Sequence, residues 1–456
     1  MNRPITENRL FDEIDLGQRA ELSRKLTEDD ITLFSRVSGN LNPLHSGHGP
    51  GPHTVHAQWS SSIISGLLGN ALPGPGTALQ HLDVDFLRPV SPGDTVNASI
   101  EVIEKRAPDR IVFACRVELS GGESVMQGRA EVIAPQEKLR VELAEPARIM
   151  INHHDSFAAL EPRIEAIEPI ATAVVHPCDR VSLEGALEAA DDGIIRPILV
   201  GPSEKIVATA AEAGLDISGL TIVDAEHSHD AAFKGVGLVQ TGDAHLLMKG
   251  SLHSDELLDA VVDKVKGIRT ERRISHVFVM DVPTYPKLLL VTDAGVNIAP
   301  SLDAKRDICQ NAINLALALG VEEPKVAILS AVETVRSKIP STVDAAALCK
   351  MADRGQITGG VLDGPLAMDN AINVEAARIK GIISPVAGQA DILVAPDLEA
   401  GNILAKQLTF LANADAAGVV VGARVPVILT SRADTVRTRR ASAIVAALYA
   451  QSLIAP

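Results

Sequence analysis

The chain has 456 residues, 46% of them hydrophobic but only 2% aromatic, and carries a formal net charge of −16. That length exceeds one ordinary core and predicts two or three domains, and an apolar content dominated by Ala, Val, Ile and Leu favours buried parallel strands and helices. The acidic balance excludes a general nucleic-acid or membrane-surface role, which calls for a basic footprint.

The opening stretch MNRPITENRLFDEIDLG has no apolar core of signal-peptide length, and no segment is long enough to span a bilayer. Cys115, Cys178, Cys309 and Cys349 are scattered, with no paired spacing. Neither a zinc site nor a disulfide framework is expected, and the reading is a cytoplasmic protein without a metal. From about residue 10 to 134 the order is one helical region and then several strands. The run AQWSSSIISGLLGNAL (57–72) is apolar with Ser and Gly interspersed, which suits a helix lying close on a sheet. The β-branched or alternating runs TALQHLDVDFLRPV, DTVNASIEVIEK, RIVFACRVELS and ESVMQGRAEVIA follow, separated by SPGD, APD and SGGE turns. Consecutive strands with short turns predict an antiparallel sheet with the helix across it, an α+β arrangement.

Residues 135–168 are charged and proline-punctuated and read as a connection, with a short helix near DSFAALEPRIEAI. Beyond them the compact aliphatic runs PILVG, HVFVMDV, LLLVTDA, KVAILSA, GGVLDG, ADILVAPD, AGVVVGA and VPVILTS alternate with helix-length amphipathic stretches. That rhythm predicts an α/β domain with a largely parallel sheet. Asp281, Asp293, Ser330, Asp363, Asp397 and Ser431 fall where strands are expected to end. In open α/β sheets ligands gather at the carboxyl ends of strands, so these residues are expected to line one cleft between two lobes. Glu399, Gly401 and Asn402 open a long amphipathic helix after Asp397, and a helix N-terminus of this kind suits an anion. Ser431 and Arg432 then offer a hydroxyl and a planar guanidinium fork.

Residues 165–456 resemble the phosphate acetyl/butyryltransferase family. The resemblance rests on LLMKGSLHS, IPSTVDAAALCKMADRGQITGGVLDGPLAMDNAI, PDLEAGNILAKQLTF and VPVILTSRAD. It implies transfer of an acyl group between coenzyme A and inorganic phosphate, both as substrates and with no tightly bound cofactor. It places Ser431 and Arg432 on the family's catalytic pair; Asp293, Asp363, Asp397, Gly401 and Asn402 are substrate-binding candidates by their strand-end and helix-start positions. An oxyanion forms when the acyl carbonyl is attacked, and preorganised donors stabilise it. Two positions depart from the acetate enzymes: Thr438 stands where they carry an Asp, and Asp259 where they carry an Arg. The thiol base is therefore unassigned, and butyryl is as good a substrate candidate as acetyl.

Residues 10–134 resemble the MaoC-like hot-dog family of (R)-specific enoyl-CoA hydratases, through SGNLNPLH, VHAQWSSSIISGLLGNALPGPGT and FLRPVSPGDTV. The resemblance assigns His45 as a catalytic base, Ala57 as an N–H donor to the thioester oxygen and Ser65 as a substrate contact. The family's catalytic Asp is replaced by Asn40, and a neutral amide cannot accept a proton. The expectation is thus a fusion: residues 1–134 a hot-dog domain, 135–168 a linker, and 169–456 a two-lobed, doubly wound acyltransferase. It acts on acyl-CoA and phosphate, with neither nucleic acid nor membrane as partner, and assembles as a homo-oligomer of two or more chains. Three alternatives stay open: an active hydratase beside the transferase, a metal-dependent dehydrogenase of similar fold, and a non-catalytic acyl-CoA-binding protein.

Overall fold

The computed structural model describes residues 5–45, 53–142, 156–429 and 435–454. The chain divides into two compact units, Met1–Asn152 and His153–Pro456.

In the first unit five antiparallel strands lie in the order Arg19–Lys25, Thr95–Arg106, Arg110–Leu119, Ser124–Ile133 and Ala78–Phe86. The helix Ala57–Asn70 buries Trp59, Ser60, Ile63, Ile64, Leu67 and Leu68, pairs spaced four apart that form one apolar stripe. That stripe joins Ile100, Phe113 and Met126 of the sheet in one core. A second helix, Glu28–Ser38, starts at Thr27, whose hydroxyl accepts the Asp30 N–H while the Asp30 carboxylate accepts the Thr27 N–H. It ends at Gly39, whose φ of 69° is left-handed and turns the chain into the Asn40–His45 segment.

Two elements depart from the expected order. Arg19–Lys25 forms a strand ahead of the helices, and Ile5–Glu7 pairs with Arg140–Glu142 from the stretch read as a connection. The first is an edge strand with nearly every residue exposed, so RAELSRK carries no apolar alternation to announce it.

The second unit is built on one sheet of eleven strands. Seven of its pairings are parallel and three antiparallel. All eight aliphatic runs named above contribute strands, joined by Ile170–Val175, Thr221–Asp224 and Leu246–Lys249. Apolar clusters lie on both faces under helices, as a doubly wound arrangement requires.

The antiparallel pairings sit together in the middle, around Ser275–Asp281 and Asp415–Val421. The parallel half containing Leu246–Lys249 and Val427–Ile428 therefore runs opposite to the half containing Leu289–Thr292, Lys325–Leu329 and Ile392–Val394. The strands that carry the candidate residues therefore do not all end at the same edge of the sheet. Asp281 closes a strand at one edge of the sheet, whereas Asp293, Ser330 and Asp397 follow strands that end at the other. Asp363 ends no strand at all; it lies inside Val361–Leu366. Among the described residues no helix is long and apolar enough to cross a membrane.

Candidate functional site

The Leu289–Thr292 strand runs into a turn organised by Asp293, which is almost fully buried. Its Oδ1 accepts the backbone N–H groups of His276, Gly295 and Val296, at 3.2, 2.9 and 3.1 Å. Its Oδ2 accepts the Asn297 N–H at 3.0 Å and the Asn297 side-chain amide at 2.5 Å. Five N–H donors thus converge on the carboxylate and fix the turn around it. Beneath it His276 is buried, and burial pushes its imidazole well below the usual range although Asp293 opposes the shift.

The helix Leu398–Leu411 buttresses the same turn. Asp397 caps it, with Oδ1 accepting the Ala400 N–H at 2.8 Å. Asn402 donates to the Ala294 carbonyl at 3.1 Å, and Leu398 donates its N–H to the Ile298 carbonyl at 3.1 Å. Gly401 lies so close that a Cβ there would sit 2.2 Å from the Asp293 carbonyl oxygen. Asp293, Asp397, Gly401 and Asn402 are thus brought together, but as the support of a loop. Asp363 is placed elsewhere, accepting the Gly364 N–H at 2.8 Å.

That loop, Gly295–Ser301, walls a cavity of about 1070 Å³. The opposite wall is the helix Ser254–Val262 with Asp255, Leu258 and Asp259, and Lys264, Arg269, Arg272 and Arg273 also line it. Ser301 caps the helix Leu302–Ala318 by accepting the Ala304 N–H at 3.3 Å, so the start of a long helix faces the space. Arg273 is held by Asn297, whose Oδ1 accepts its guanidinium N–H at 3.4 Å. Lys264, Arg269 and Arg272 have no carboxylate partner among the described residues. Free cations beside a helix N-terminus provide for an anion with several charges.

Sequence reasoning did not single out these cations. The signal was present in KVKGIRTERR, five basic residues in the ten from Lys264 to Arg273 of an otherwise acidic chain. Ser431 and Arg432 lie outside the described residues. The strand leading towards them, Val427–Ile428, pairs in parallel with Leu246–Lys249. No group of three or more His, Cys, Asp or Glu arranged to hold a metal occurs among the described residues. Burial pushes the Cys178 thiol up to about 11, and Cys309 higher still, so neither is set up as a thiolate.

In the first unit, Asn40 and Asn42 make successive side-chain turns that present His45. The Asn40 Oδ1 accepts the Asn42 N–H at 3.2 Å, and the Asn42 Oδ1 accepts the Leu44 N–H at 3.1 Å. His45 Nδ1 is 2.8 Å from the Thr54 carbonyl, which assigns its proton there and leaves Nε2 as the basic nitrogen. The His45 ring stacks on that of His56, with centroids 3.7 Å apart. His56 is 2% exposed, its Nε2–H donates to the Asn40 carbonyl at 3.1 Å, and its Nδ1 has no hydrogen-bond partner among the described residues. Burial holds His56 below the usual imidazole range, against the Asn40 carbonyl, which raises it. Ala57 and Ser65 are both exposed on the following helix, two turns apart.

The family description "Phosphate acetyl/butaryl transferase" matches residues 226–447, and "MaoC like domain" matches residues 11–121. A phosphate acetyltransferase of Rhizobium meliloti is 67% identical over 282 residues, 62% of this chain and 89% of that protein. A phosphate butyryltransferase of Clostridium acetobutylicum is 42% identical over 295 residues, 65% of this chain and 98% of that protein. The crystal structure of a branched-chain phosphotransacylase from Enterococcus faecalis aligns with a TM-score of 0.55 at 30% identity, over 62% of this chain and 99% of that one. With such relatives spanned over most of their length, the chain belongs to the phosphate acetyl/butyryltransferase family and carries a MaoC-like domain ahead of the transferase region.

Proposed function

We propose that the chain is a cytoplasmic acyltransferase that interconverts acyl-CoA plus phosphate with acyl phosphate plus CoA, for a short acyl group. The observation that carries this reading is the cavity with three cations free of carboxylates at a helix N-terminus, inside a protein of net charge −16. Such a pocket suits the phosphates of CoA and a free phosphate ion together. Leu258, Val262, Ile274 and Val296 add an apolar wall for the acyl chain. A phosphate oxygen attacks the thioester carbonyl, the tetrahedral oxyanion collapses, and the C–S bond breaks to release the thiolate of CoA. In the reverse direction a thiol of ordinary pKa, about 8.5, needs a base. Arg432 and Ser431 are assigned the oxyanion and phosphate contacts on the strength of the resemblance. No metal or tightly bound cofactor takes part in this scheme.

For the MaoC-like unit we propose thioester binding with little hydration, because His45 stacks on an imidazole and the Asn40 amide cannot take a proton.

The test is phosphate-dependent thiol release from acetyl-, propionyl- and butyryl-CoA. Arg432→Ala should lose at least ~10²-fold in kcat/KM, the scale of one lost oxyanion donor. No release with any of the three thioesters overturns the transferase reading; an unchanged rate in the variant overturns the Arg432 assignment.

A further inference from the structure

The strand Ile170–Val175 ends in His176, whose backbone is left-handed at φ 57°, a costly conformation for a residue with a Cβ. Neighbouring strand ends impose it. The His176 N–H donates to the Val200 carbonyl at 2.6 Å, and its carbonyl accepts the Cys178 and Ser251 N–H groups, both at 2.9 Å. A Cβ on Gly250 would sit 2.5 Å from that carbonyl oxygen, so the two strand ends abut. Backbone strain held in place by its surroundings collects at functional sites.

The side chain is fixed as firmly. The Ser251 hydroxyl donates to the His176 carbonyl at 2.8 Å and lies 2.9 Å from Nδ1. With its one hydrogen so used, the hydroxyl accepts Nδ1–H, which leaves Nε2 as the basic nitrogen. Among the described residues nothing hydrogen-bonds to Nε2. His176 is half-buried, and burial holds its imidazole below the usual range; Lys205 acts the same way, and Glu256 and Asp179 oppose. At about pH 7 it is therefore neutral and able to take a proton.

Strand pairing sets this residue beside the reacting edge. Val175 is level with Lys249, and Met248 with Ile428, in three parallel strands. His176 thus emerges at the same sheet edge as the strand that leads towards Ser431, two strand spacings or ~10 Å across. Its partner Ser251 lies just ahead of Ser254, which opens the helix that walls the cavity. Thr438, standing where the acetate enzymes carry an Asp, offers only a hydroxyl, which accepts from Thr435 at 3.1 Å.

We propose that His176 Nε2 is the base for the thiol of CoA, an assignment that rests on the transferase reading. Towards acyl-CoA, Nε2 takes the thiol proton as sulfur attacks the carbonyl of the acyl phosphate. The C–S bond forms, the oxyanion collapses, the C–O bond to phosphate breaks, and the imidazolium returns the proton to the departing phosphate. Towards acyl phosphate the same proton passes from the attacking phosphate to Nε2 and on to the leaving sulfur. An imidazole at about 6.5 or somewhat lower matches a thiol at about 8.5 better than a carboxylate at about 4 does.

The experiment uses the full chain and His176→Asn. Asn accepts a left-handed backbone and still donates to Ser251, but supplies no base. With acetyl or butyryl phosphate, kcat/KM for CoA should fall ~10²-fold at about pH 7. The deficit should shrink to less than ~10-fold at about pH 9, where the thiol ionises unaided. His176→Gly, equally suited to that backbone, should regain rate when free imidazole is added. An unchanged rate, a deficit equal at both pH values, or a glycine variant indifferent to imidazole overturns the base alone. A wild-type chain inert in both directions overturns the transferase reading itself, and the base with it.

Discussion

Asn40 and Asp293 are both short polar residues that the sequence marks as candidates for chemistry, and both direct their side chains to nearby backbone. Asn40 organises the turn that presents His45, and Asp293 gathers five N–H donors into the turn that walls the cavity. A carboxylate so fully occupied is a poor acceptor for substrate, whereas its effect on the loop is large. Sequence spacing located both residues but not their hydrogen-bond partners, because the His276 N–H comes from a neighbouring strand, 17 residues away. The Asn40 amide can be tested directly. Asn40→Asp keeps the acceptor for the Asn42 N–H and adds a proton acceptor beside His45. Crotonyl-CoA hydration should rise by ~10²-fold or more, the usual contribution of a general base. An unchanged rate would mean that more than the missing carboxylate limits this unit.

At the scale of elements, the aliphatic runs and the long Ser/Gly-rich helix were legible because buried strands and amphipathic helices carry their environment in their apolar pattern. Arg19–Lys25 was not, because an exposed edge strand is held by backbone pairing to Thr95–Arg106 alone. By its sequence the helix Leu398–Leu411 offers an anion-binding N-terminus. In the structure that end is occupied by its own cap and by the Ile298 carbonyl, and the helix acts by bracing the Asp293 turn. Its close approach predicts that Gly401→Ala, which adds a Cβ 2.2 Å from the Asp293 carbonyl oxygen, forces the two apart. The expected cost is ~1–3 kcal/mol, read by denaturant unfolding. Since the 295–301 loop rides on this turn, KM for CoA should change in the same variant. Wild-type stability would show that the helix moves freely.

At the scale of the molecule, the apolar core of the first unit shares no residue with the clusters that cover both faces of the second unit's sheet. Calorimetry should therefore resolve two unfolding transitions. The first unit's transition should be acid-sensitive through His56. Its imidazole titrates near 6.5 when unfolded and lower when folded, so between those values the unfolded chain binds more protons. Stability that is complete above about pH 6.5 is lost as the pH falls towards the depressed value. His56→Gln, which can still donate to the Asn40 carbonyl, should flatten that dependence. An unchanged pH profile would remove His56 as its cause.

Composition, motif and periodicity by themselves determined the two fold classes, the family resemblances and the identity of most strands, since each is written in local pattern. The tertiary structure alone decided which strand ends meet. Reversal of direction at the centre of the eleven-stranded sheet separates Asp281 from Asp293, Ser330 and Asp397, and no one-dimensional pattern encodes strand direction. It also decided that the basic run Lys264–Arg273 faces the Asp293 loop across a cavity. That juxtaposition depends on contacts between residues far apart in the chain, where hydrogen bonding and packing, rather than local propensity, set the geometry.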